Sequence, residues 1–133
     1  ELQDRTIQSQ SAALAQLSTP LIPISQRVLA LPLIGEVDGA RAAKVLETIL
    51  RGAAERRAAA VILDITGVTA VGPELIELLS RAGLAVRLIG AQLILTGLGA
   101  GAAQALAEFD AELVGVVTRR DLEAGIAFAL GAG

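Results

Sequence analysis

A chain of 133 residues with 11 Lys and Arg against 14 Asp and Glu has a formal net charge of −3, a poor match for a phosphate-backbone partner. Its hydrophobic fraction is 53 % but its aromatic fraction only 2 %, so Leu, Ile, Val and Ala must pack the core, and no aromatic platform is offered to bases or sugars. Cys, His, Met, Trp and Tyr are all absent, which removes disulfides, the commonest zinc ligands and Ser-His or Cys-His nucleophile pairs; no catalytic residue, metal site or cofactor is expected.

The length suits one domain. Residues 1–17 are mostly polar, with Leu2, Ile7, Leu14 and Leu17 as scattered apolar points, and Ile7 and Leu14 lie at heptad spacing. Pro20 and Pro23 stop any helix there. The segment reads as a frayed end or as a linker helix arriving from an upstream domain, with the domain proper over 18–133. A first residue that is Glu rather than Met fits a segment of something longer, and no signal peptide is visible.

Leu21 to Ile24 and Arg27 to Ile34 are the first candidate strands, joined by a turn at Ser25-Gln26, and Pro32 argues for an edge or a bulge. Asp38 is a candidate N-cap for a helix in which Ala42, Leu46, Ile49, Leu50 and Ala53 recur at helical spacing, ending near Arg56-Arg57. Ala58 to Ile65 is a continuous apolar run interrupted only by Asp64, the pattern of a strand buried on both faces, with Thr66-Gly67 as the following loop. Gly72-Pro73-Glu74 is a strong helix start, with Leu75, Leu78, Leu79, Ala82 and Val86 as its apolar stripe. Ala91 to Leu95 (strand), Ala102 to Phe109 (helix) and Leu113 to Val117 (strand) follow, and Thr118 or Arg119 opens a terminal helix carrying Leu122, Ile126 and Ala129. The rhythm predicts an α/β fold: a mixed, mainly parallel sheet with an antiparallel edge hairpin and packed amphipathic helices. The least charged stretch, Ala91 to Ala107, is broken by Gln92, Thr96 and Gln104 and falls short of the ~20 mostly apolar residues of a membrane span.

Five stretches of this pattern resemble the STAS domain of sulphate transporters and anti-sigma-factor antagonists: 17–24 (LSTPLIPI), 28–38 (VLALPLIGEVD), 61–68 (VILDITGV), 90–98 (GAQLILTGL) and 116–122 (VVTRRDL). The first two and the LILTG segment resemble most the RsbR-type co-antagonists that build the stressosome. The resemblance implies a bacterial, cytoplasmic scaffold that binds STAS paralogues and a serine/threonine switch kinase, either as a homo-oligomer or within a large assembly, in the stress response. It also implies two acceptor threonines. Thr96 stands at one of them; at the other, Gly72-Pro73 replaces the expected Asp-Thr, and proline carries no hydroxyl. Thr66, Thr69 and Ser80 are the nearby hydroxyls that could substitute. Asp64, Thr66, Gly67, Gly72, Pro73 and Glu74 then form the expected partner-binding or switch loop.

Each of these residues also has a plainer reading. Thr96 could cap a glycine turn through its hydroxyl, and Asp64 could accept backbone N–H bonds from Thr66-Gly67. Gly97-Leu98-Gly99-Ala100-Gly101-Ala102 has the form of a dinucleotide loop, which makes a small nucleotide-binding domain an alternative. The acidic residue such a site needs after a second strand is missing: Glu112 precedes the candidate strand, and Asp121 lies in the following helix. A STAS domain of an anion transporter is the other alternative.

Overall fold

The computed structural model describes residues 20–108 and 113–132; the expected linker helix over 1–17 and Phe109 lie outside them. The elements in chain order are β1 (Ile22–Pro23), β2 (Val28–Gly35), α1 (Gly39–Arg56), β3 (Ala60–Val68), α2 (Pro73–Leu88), β4 (Gln92–Thr96), α3 (Ala100–Glu108), β5 (Val116–Arg119) and α4 (Leu122–Ala132). They form one five-stranded sheet in the order β1-β2-β3-β4-β5. The β1–β2 pair is antiparallel and the other three pairs are parallel. Pro32 marks an irregularity in the β2–β3 register, where a residue without an N–H is tolerated.

Strand alternation divides the core between the two faces of the sheet. Leu29, Leu31, Leu33, Val61, Leu63, Ile65, Leu93 and Leu95 pack with α1 and α2, and Ala102 and Leu106 of α3 lie against the same cluster. On the opposite face Val28, Ala30, Ala60, Ile62 and Ile94 meet Ile126, Phe128 and Ala129 of α4. Among the described helices, three therefore cover one face, and α4 packs against the other. Burying each large aliphatic side chain contributes roughly 1.5–3 kcal/mol.

Local signals explain the helices. Asp38 accepts the Arg41 N–H at 2.8 Å, as an N-cap should, and Ala42, Val45, Ile49 and Ala53 form the buried stripe of α1. Val45, passed over in the sequence reading, is fully buried, while Leu46 and Leu50 lie at the margin of the core. Pro73 occupies the first turn of α2 beside Glu74, where an acid suits the positive end of the helix. Gly83 lets β5 approach α2: a Cβ there would stand 2.5 Å from Val116 Cγ2.

The structure corrects three boundaries. β3 continues to Val68, so Thr66 and Gly67 are strand residues and not a loop. The expected strand from Leu113 begins only at Val116, because Gly115, at φ +77°, makes a turn that no strand passes through. Thr118 and Arg119 stay in that strand, paired with Leu95 and Thr96, and the terminal helix opens after Asp121.

Candidate functional site

β2 to β5 run parallel, so the loops after β2, β3 and β4 leave from the same rim of the sheet, although β3 runs on to Val68 beyond the end of β4. Register places Asp64 of β3 directly beside Thr96 of β4. The Thr96 hydroxyl donates to Asp64 Oδ1 at 2.7 Å, and the Thr66 hydroxyl donates to the same oxygen at 3.1 Å. Asp64 is 9 % exposed and Thr96 0 %, whereas Thr66 is open to solvent. A carboxylate buried this far is tolerable because two hydroxyls satisfy it.

Three backbone approaches enclose this hub. Gly97 (φ +80°) lies against Thr66, and a Cβ there would come within 2.6 Å of the Thr66 backbone N and 2.9 Å of Asp64 Oδ1. The Gly97 N–H donates to the Arg120 carbonyl at 3.2 Å, tying the end of β4 to the turn before α4. Asp121 then caps α4, its carboxylate accepting the Ala124 N–H at 2.8 Å. One turn into α4, Gly125 rests on the Thr96 methyl; a Cβ at Gly125 would stand 2.5 Å from Thr96 Cγ2.

Two of the plainer expectations are thereby replaced. Asp64 accepts hydrogen bonds from side-chain hydroxyls rather than from the backbone of Thr66-Gly67, because the strand continues and those N–H groups lie within it. Thr96 spends its hydroxyl on Asp64 rather than on capping the glycine turn.

The remaining expected residues lie nearby on the rim. Gly67 pairs with Ile34 across β2–β3, and the Thr69 N–H donates to the Gly35 carbonyl at 3.1 Å. Gly72, Pro73 and Glu74 start α2; Gly72 is its N-cap, without a side-chain cap bond. None of the described hydrogen bonds joins this helix start to the Asp64 hub, so the expected switch loop resolves into two neighbouring parts. Between the β3–α2 and β4–α3 loops runs a cleft of about 450 Å³ lined by Thr66, Thr69, Val71, Gly97 and Gly99, among others.

Gly125 was not legible as a site residue. An isolated glycine within a helical stretch was the available signal for Gly125, since such a glycine commonly marks a close approach. The glycines of the β4–α3 turn sit in an uninterrupted strand order, whereas dinucleotide sites use the crevice where that order reverses. No helix among the described residues is long and apolar enough to cross a membrane.

The family model of the STAS domain matches residues 19–118, from before β1 into β5. The chain belongs to the STAS domain family. It is similar to the RsbT co-antagonist protein RsbRA of Bacillus subtilis, with 36 % identity over 127 residues, covering 96 % of this chain and 46 % of that relative. It is also similar to RsbRC of the same organism, 30 % identical over 121 residues, with 91 % and 43 % covered. The chain thus spans a little under half the length of these curated relatives. Among solved structures, RsbS of Moorella thermoacetica superimposes with a TM-score of 0.75 at 18 % identity, covering 86 % of this chain and 96 % of that one. This likeness supports the fold seen in the described residues: a five-stranded sheet with one antiparallel pair, and four helices.

Proposed function

We propose that this STAS domain is a non-catalytic scaffold and signal-transmission domain of a bacterial, cytoplasmic stressosome-like complex, binding STAS paralogues and a serine/threonine switch kinase. The observation that carries the reading is the 36 % identity to RsbRA, sustained over 96 % of the chain. The chemistry of the rim agrees with it. Asp64, the one buried carboxylate among the described residues, is committed to two hydroxyls through Oδ1, and no imidazole or thiol exists in the chain to act as base or nucleophile.

Regulation by threonine phosphorylation belongs to the same proposal. A phosphate adds about −1.5 to −2 charges and strong acceptor oxygens, enough to re-tune an interface without refolding the domain. Thr96 meets a kinase only if α4 lifts from it, because it is fully buried beneath Gly125. Proline at position 73 leaves the α2 start without an acceptor.

Co-expression with an RsbS-type paralogue, followed by sedimentation velocity and electron microscopy, tests the scaffold reading. The expected result is a large mixed particle. A chain that stays monomeric at every concentration, alone and with the paralogue, would overturn the proposal.

A further inference from the structure

We propose that Thr66 is the modification site of this domain and that α4 is the element its modification moves. The inference rests on the reading of the chain as the partner of a serine/threonine switch kinase, and it names the acceptor. Of the two hydroxyls that share Asp64 Oδ1, Thr96 is sealed in the core while Thr66 is exposed at the mouth of the rim cleft. Thr69 is exposed on the same cleft, but no described hydrogen bond of its side chain ties it to the hub. Among the described residues, Thr66 alone is both reachable and connected to the hub.

The chemistry is an ordinary phosphoryl transfer with ATP as co-reactant. The bond from the γ-phosphorus to the β,γ-bridging oxygen breaks, a bond from phosphorus to Thr66 Oγ1 forms, ADP leaves, and the hydroxyl proton passes to solvent. The product loses its hydrogen bond to Asp64 and places a dianion beside a buried carboxylate, where like charges repel with little screening.

Two routes carry that repulsion to α4. Gly97 packs directly on Thr66, and its N–H holds the Arg120 carbonyl in the turn before the helix. Asp64 holds the Thr96 hydroxyl, and the Thr96 methyl carries Gly125. A charge at position 66 therefore displaces the β4–α3 turn and the first turn of α4 together, and it uncovers Thr96. Modification at Thr69 has no such route.

The test incubates the purified chain with an RsbT-type switch kinase and ATP, with an RsbS-type paralogue as the positive control, and maps phosphate by mass spectrometry. Label on Thr66, lost in Thr66→Val, is the expected result. Label on Thr96 or Thr69 instead, or none on this chain while the paralogue is labelled, overturns the assignment. Hydrogen exchange reads the second half: α4 amides exchange about tenfold faster in Thr66→Glu, with Thr69→Glu unchanged. If Thr66→Val, which removes the hydrogen bond without adding charge, loosens α4 as much as Thr66→Glu does, the charge relay is wrong. Assembly with the paralogue is scored separately, so loss of this inference leaves the scaffold reading standing, and the reverse also holds.

Discussion

One oxygen of Asp64 receives two hydroxyl protons, and only one of the donors is sealed from water. This asymmetry sets the cost of breaking each contact. Asp64→Ala strands the Thr96 hydroxyl in the core, a loss of about 1–3 kcal/mol, whereas Thr66 turns to solvent at little expense. Thr96→Val keeps the volume and leaves Asp64 with Thr66, so a loss nearer 1 kcal/mol is expected. Urea denaturation followed by circular dichroism measures both, and equal losses would contradict the hub. Gly97→Ala adds strain at φ +80° and a clash with the Thr66 backbone, and it should lower the midpoint further than Thr96→Val.

At this scale the sequence was partly readable. An acid within a buried apolar run had to have partners, and that much follows from solvation alone. The partner itself lies 32 residues away and is fixed only by the β3–β4 register, which no local pattern reveals. Thr66 shares its face with Asp64 by strand alternation, but that relation is visible only once β3 is known to continue past Ile65.

The elements were more legible where end signals were chemical. Asp38 before α1 and Pro73-Glu74 at α2 located those helices because caps and fixed φ angles act locally. β5 was placed too early because Leu113 to Val117 is almost wholly apolar, while the turn at Gly115 depends on φ +77° and on Arg87 packing close to it. Removing either N-cap should cost about 1 kcal/mol, but with different reach. Asp38→Ala weakens α1, which is bound into the large core cluster, and should lower global stability with little local opening. Asp121→Ala weakens α4, held by the smaller cluster, and should raise amide exchange in α4 more than in the sheet, alongside a midpoint loss of the same order. Exchange raised equally throughout the sheet in Asp121→Ala would show that the two clusters do not open separately.

For the molecule as a whole, the alternation of strands and helices was sufficient to give an α/β class and a mainly parallel sheet. The side of the sheet on which each helix lies was not written locally; it follows from which strand residues point to which cluster. All five strands share one sheet, and β2 through β5 carry residues of both clusters or their margins, so denaturation should be a single transition. Urea midpoints from circular dichroism and from the amide signals of β2 and β4 should coincide; separate midpoints would show two independently stable parts. The mean hydropathy of +0.63 goes with large apolar side chains left at the surface, Leu84, Leu88 and Val114 among them.

Because each strand lies beside the one made just before it, the sheet can be laid down in the order in which a ribosome delivers it, with no strand threaded later between two others. The helix α4 follows every described strand in the chain and is the element that roofs Thr96. A copy whose sheet has formed before α4 docks therefore leaves that hydroxyl open to the surrounding medium.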